Sequence, residues 1–117
     1  MSAELEERIY HFANDVRNFC RKLTWDVINL EDIKQLVRSS GSVGANYIEA
    51  NENLGPADLR MRIRISRKEA KESIRWLRLL HIETKKAELE PERIRLIDEA
   101  DQLRKIFSAI LKKLGDK

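Results

Sequence analysis

The chemistry written into this sequence is cationic. Arg60, Arg64, Arg67, Lys71, Arg75 and Arg78 follow one another at spacings of four, three, four, four and three residues. On a helix this rhythm, joined by Lys68, aligns seven positive charges within an arc of about 100°. Residues 60 to 78 hold eight Lys/Arg against Glu69 and Glu72, a local charge of +6, so the rest of the chain carries −3 and the total of +3 conceals strong polarisation. Arginine's planar fork suits phosphate oxygens, so the ridge can serve a nucleic-acid backbone or another polyanion. No aromatic residue interleaves with it, so base stacking is not signalled, and binding would be salt-sensitive and weakly sequence-selective. The competing reading is a solvated face neutralised by acids such as Asp15, Asp26, Glu31 and Asp32 on a neighbouring helix or subunit.

Catalytic patterns are missing. Gly41-Ser42-Val43-Gly44 lacks the lysine and the preceding strand of a phosphate-binding loop. A di-iron bundle needs Glu-x-x-His pairs, but Arg8 and Arg78 stand three residues before His11 and His81. His81 is expected on the core side and His11 at the surface or an interface. Cys20 is the only cysteine and falls on an apolar face, where it reads as a small core residue. Ser40, Asn51, Glu69 and Ser73 lie beside buried arcs, and a carboxylate at Glu69 needs a partner such as Arg38 or Arg62. The expectation is a protein that is not an enzyme, with no catalytic residues, metal or cofactor.

The elements that must carry this ridge are helical. Two prolines, four glycines and little β-branched alternation exclude a sandwich or barrel, while 42% hydrophobic residues suffice for a core. Apolar spacing predicts helices over about 3–23, 30–53, 57–86 and 91–114, with Asn29 or Asp32 capping the second and Pro56 and Pro91 opening the last two. Short joints make successive helices antiparallel, giving an all-α, up-down-up-down four-helix bundle over residues 1–117 as a single domain. In the second helix Ser39-Ser40-Gly41-Ser42 and Gly44-Ala45 are poor helix formers. The apolar phase continues across them, so one unbroken helix with a small-residue groove is expected. Residues 1–8 carry three glutamates and no apolar run, and no stretch approaches a membrane span, so a cytoplasmic protein without membrane contact is expected.

The third helix is apolar over too wide an arc. Met61, Leu79, Ile65, Trp76, Leu80, Leu59, Leu77, Ala70, Ile63 and Ile74 cover about 220°, more than one bundle interior can take. Self-association is therefore expected, with Met61, Ile65, Trp76 and Leu79 as interface candidates; alternatively Trp76 only closes the edge of its own core.

Residues 39–50, Ser-Ser-Gly-Ser-Val-Gly-Ala-Asn-Tyr-Ile-Glu-Ala, and 68–77, Lys-Glu-Ala-Lys-Glu-Ser-Ile-Arg-Trp-Leu, resemble two helix signatures of a bacterial family. The family is that of four-helix-bundle proteins related to those encoded in 23S rRNA intervening sequences, and the similarity runs over nearly the whole chain. The resemblance implies an antiparallel bundle assembled as a ring, typically a homopentamer, without catalytic residues. Related proteins serve diversity-generating retroelements, where a basic surface engages nucleic acid and a reverse transcriptase. Ser42, Asn46, Tyr47, Glu49 and Ala50 match the second-helix signature, and Lys68, Glu69, Ala70, Glu72, Trp76 and Leu77 the third. The resemblance assigns them to packing and the subunit interface, with a site role for Asn46, Glu49 or Glu69 as the alternative. Leu59 stands where an aromatic is common, and Ala50 where many members have glycine. The arginines at 60, 64, 67, 75 and 78 lie outside the motif. Two functions follow: a self-associating bundle that binds RNA or DNA through helix three, or a structural module whose ridge meets a protein partner.

Overall fold

The computed structural model describes residues 2–116. Four helices, α1 (Ala3–Arg21), α2 (Val27–Asn51), α3 (Pro56–Leu79) and α4 (Glu90–Lys113), are joined by short links, the last containing a 3₁₀ segment, Thr84–Leu89. Cross-helix contacts run antiparallel at every seam. Arg8 meets Glu99 while Lys22 meets Glu92 between α1 and α4, and Arg38 meets Glu69 while Arg62 meets Asn46 between α2 and α3. Each helix packs on its sequence neighbours, and α4 closes against α1, giving an up-down-up-down bundle of 49 × 24 × 23 Å.

The helix starts follow local chemistry. Ser2 Oγ accepts from Leu5 N at 3.0 Å at the head of α1, with Glu4 and Glu6 in the first turn. Asp26 accepts from Asn29 N at 2.8 Å and starts α2 at Val27, earlier than Asn29 or Asp32 would. The apolar rhythm misses that first turn because Val27 and Ile28 face solvent. Gly55 enters α3 at φ 133°, a conformation that favours glycine, and Pro56 supplies the first helical residue.

The glycine-containing stretch of α2 is unbroken helix. A Cβ at Gly44 would lie 3.3 Å from Ile9 Cγ2, and one at Gly41 3.3 Å from Arg17 Nη2, so the missing side chains let α1 approach closely. The α2–α3 seam is also built from small residues. Ser39, Ser66 and Ser73, which bond there, are fully buried. Ser39 Oγ and Ser73 Oγ lie 2.9 Å apart, Ser73 Oγ donates to Glu69 O at 2.9 Å, and Ser66 Oγ donates to Val43 O at 3.0 Å. Hydroxyls satisfied across the seam hold two backbones close without leaving polar atoms unpaired.

Glu69 closes this seam at the surface. Its carboxylate is 4% exposed and accepts from Arg38 Nη1 at 3.4 Å; Arg38 rather than Arg62 is the partner. Burial, and then the neighbouring Glu72, push the Glu69 carboxyl above its ordinary value against the pull of Arg38 and Lys68.

Helix α3 stops at Leu79, well short of residue 86. Leu80 and Ile82 continue the apolar phase, but Leu80 leaves the helix at ψ 135°. Two distant side chains fix the stop. Arg93 Nη1 donates to the carbonyls of Leu77 at 3.0 Å and Leu80 at 2.6 Å, satisfying the open end of the helix. Asn29 Nδ2 donates to the carbonyls of Thr24 at 3.0 Å and His81 at 2.9 Å, and Asn29 Oδ1 accepts from His81 N at 2.9 Å. His81 is thus held by its backbone and its side chain is exposed, contrary to the core position expected from a longer helix. Asn51, at the end of α2, is exposed as well, while Ser40 and Cys20 are buried as expected.

Two stability measurements follow. Asn29→Ala removes three cross-loop hydrogen bonds from a buried side chain and should lower the urea-unfolding free energy by about 1–3 kcal/mol, whereas His81→Ala should change it by less than about 0.5 kcal/mol. Because the folded chain binds the Glu69 proton more tightly than the unfolded chain, ionised Glu69 is a liability above its raised value. That liability fades as pH falls towards the ordinary 4.5. Glu69→Gln should therefore unfold at higher urea than the wild type at pH 7, and the gap should close by about pH 4. A less stable Gln variant at pH 7 would show that the Arg38 pair outweighs the burial.

Candidate nucleic-acid interface

Packing sets which face of α3 looks outward. Ile63, Ser66, Ala70, Ser73 and Leu77 point into the bundle, and Arg62 and Glu69 turn towards α2, where they meet Asn46 and Arg38. The ridge falls on the opposite flank, along the α3–α4 seam. Two contiguous hollows, of about 760 and 410 Å³, form a groove there and share Lys68, Lys71 and Arg104. Arg64, Arg67, Lys68, Lys71, Arg75 and Arg78 line it from α3, with Arg104 and Ser108 from α4. Seven cationic side chains thus face one carboxylate, Glu72. Arg60 continues the ridge beyond the groove and is half-buried.

Part of this charge is neutralised within the chain. Arg64 Nε and Nη2 donate to Asp116 Oδ2 and Oδ1 at 2.7 and 2.6 Å, the two-pronged geometry that also suits a phosphate, and Arg104 is held by Asp101 of its own helix. Lys68 stands 3.9 Å from Glu69, and Arg67 Nη1 donates to Ser108 Oγ at 3.5 Å. The Arg75 guanidinium lies 6.0 Å from the Trp76 ring centroid. Arg60, Lys71 and Arg78 make no ion pair among the described residues. Three of the four acids named as partners on a neighbouring helix or subunit are engaged elsewhere, Asp15 with Arg95 at 3.3 Å, Asp26 as the α2 cap and Glu31 with Lys34 at 3.6 Å, and no ion pair joins Asp32 to the ridge among the described residues.

Arg104, Ser108 and Asp116 escaped the reading of α3 in isolation. The signal for Arg104 and Ser108 is the antiparallel register of α3 and α4, which brings residue 108 opposite 67, while Asp116 reaches Arg64 from beyond the end of α4, after the turn at Gly115. Arg104 Nε and Nη2 donate to Asp101 at 3.0 and 2.8 Å, and this contact is the main cause that holds the Asp101 carboxyl below its ordinary value.

The apolar candidates divide. Met61 and Leu79 are 44% and 52% exposed, so the chain's own helices leave them uncovered. Ile65 and Trp76 are half-buried, and Trp76 packs against the core with its Nε1 buried and unpartnered. Asn46 donates to the carbonyl and hydroxyl of Ser42 and accepts from Arg62 at 3.2 Å, a local packing arrangement. Glu49 is exposed on α2. The structure therefore does not bring Asn46, Glu49 and Glu69 to one place: Asn46 and Glu69 serve separate contacts along the α2–α3 seam. No cluster of three or more His, Cys, Asp or Glu that could hold a metal occurs among the described residues. No helix among them is long and apolar enough to cross a membrane.

No family model matches the sequence, and no curated protein matches it. Among solved structures, the chain is similar to a protein of unknown function from the S23 ribosomal protein family of Bacteroides thetaiotaomicron. The two share 25% of their residues, with 92% of this chain and 97% of the other covered and a TM-score of 0.75. The two chains share the helical bundle over nearly their full lengths.

Proposed function

We propose that the protein is a non-enzymatic, self-associating helical bundle of the cytoplasm that binds the phosphate backbone of RNA or DNA through the α3–α4 groove. One observation carries the reading: seven cations and one carboxylate line one continuous groove, and four of the seven, Arg67, Lys71, Arg75 and Arg78, make no ion pair among the described residues. Such crowding costs electrostatic energy in the free protein and is relieved by a polyanion, whose displaced counterions add a favourable entropy. The similar protein's family is named for the ribosome, which agrees with a nucleic-acid role. Exposed Met61 and Leu79, beside the half-buried Ile65 and Trp76, supply the surface for self-association. The resemblance to the intervening-sequence proteins gives that assembly the form of a ring, most simply a pentamer, which would multiply the groove by symmetry. A second reading draws on Arg64 and Asp116: a carboxylate already satisfies part of the ridge, so an acidic protein partner would fit it too.

Reversing Arg64, Lys71 and Arg78 to Glu should weaken binding to labelled RNA and DNA by about 100-fold or more at low salt, with helicity and particle mass unchanged. Retained affinity with the same salt dependence would remove the groove from the account. Light scattering should find an oligomer, and Met61→Lys with Leu79→Lys should convert it to monomers of 13.7 kDa. An unchanged mass would place the interface elsewhere.

A further inference from the structure

We infer that the ligand of the α3–α4 groove is double-stranded nucleic acid, with the phosphates of one strand laid along the cleft between the two helices. The inference rests on the polyanion reading and narrows it.

The first observation is the shape of the charge. Arg67, Lys71, Arg75 and Arg78 form one wall from α3, and Arg104 faces them from α4, so the cations flank a cleft instead of crowning a single convex helix. A cleft with cations on both sides receives one row of phosphates.

The second is the lining. Apart from cations it offers Glu72, Ile74 and Ser108, and no aromatic ring. The nearest indole, Trp76, packs against the bundle core with its Nε1 buried, and the Arg75 guanidinium sits over its ring at 6.0 Å. Unpaired bases therefore find no aromatic face to stack on, and aromatic stacking supplies much of the affinity of single-strand binders. A duplex keeps its bases stacked on one another and asks the protein only for backbone contacts.

The third is rigidity and charge density. Arg64 to Arg78 spans about 21 Å along a straight helix, room for several successive phosphates of one strand. A stiff row of cations matches a stiff row of phosphates, whereas a flexible single strand must be straightened at an entropic cost. Counterion release per contact is also larger for a duplex, about 0.9 against 0.7. Contacts confined to phosphates leave RNA and DNA duplexes as two sources of one chemistry.

The test is a competition at fixed, moderate salt. Labelled 20-base-pair DNA bound to the full-length protein is displaced by unlabelled duplex DNA, duplex RNA, each single strand, and linear polyphosphate, all compared per phosphate. The expected result is that duplexes compete at least about tenfold better than either single strand or polyphosphate; the two duplex arms show whether DNA or RNA is the preferred source. Single strands or polyphosphate that compete within twofold of duplex would overturn the duplex inference and leave the polyanion reading standing. Absence of binding by every probe would overturn both. Arg104→Gln should weaken duplex binding about three- to tenfold and reduce the magnitude of the salt slope by about one. Arg95→Gln, at the α1–α4 seam where Arg95 meets Asp15, should leave both unchanged. Unaltered duplex affinity and slope for the Arg104 variant would show that no strand lies in the cleft.

Discussion

Close contact between α2 and α3 is the constraint on which the rest of this molecule depends. Ser39 on one helix meets Ser73 on the other, and Ser66 meets the backbone of Val43, all fully buried. Short side chains let the backbones approach, and the hydroxyls of Ser39, Ser66 and Ser73 are all bonded within the seam. The consequence is rotational. Once α3 turns its small residues inward, its long side chains go to the flanks and the outer face. Met61 and Leu79 emerge on the far side, and the arginines and lysines emerge beside α4.

The electrostatics follow from that rotation. Acidic side chains along the α1–α4 seam are matched locally, as Glu99 with Arg8, Glu92 with Lys22 and Asp15 with Arg95 show. The α3–α4 groove is left with an excess of like charge. Exposed pairs of this kind contribute little to stability, so the asymmetry is a statement about association and not about the fold. Arg64 shows the preference of the site in miniature, since it closes on a carboxylate with both prongs where one comes within reach.

Much of this was legible in the sequence because it is periodic. The apolar phase of α1, the unbroken helix through Gly41 and Gly44, the burial of Ser40 and Cys20, and the outward ridge on α3 all follow from residue spacing. The end of α3 was not legible, because Leu80 and Ile82 keep the rhythm while Asn29 and Arg93, remote in sequence, stop the helix. His81 went astray with it, placed on a wheel that no longer applied. Arg104 and Ser108 became part of the groove only through the register of two antiparallel helices, which a wheel drawn for one helix does not contain. Glu69 was legible as a buried carboxylate needing an arginine, and the choice of Arg38 was a matter of which helix faced it.

A groove that holds a phosphate backbone through charge must show it in the salt dependence of binding. The most direct measurement is the salt dependence of duplex binding by the unmodified protein, with the association constant determined across a series of salt concentrations. About five phosphate contacts per groove give a slope of log K against log salt near −4.5, and a value of that size or steeper is the expected result. A slope shallower than about −1, or no measurable binding at low salt, would contradict it.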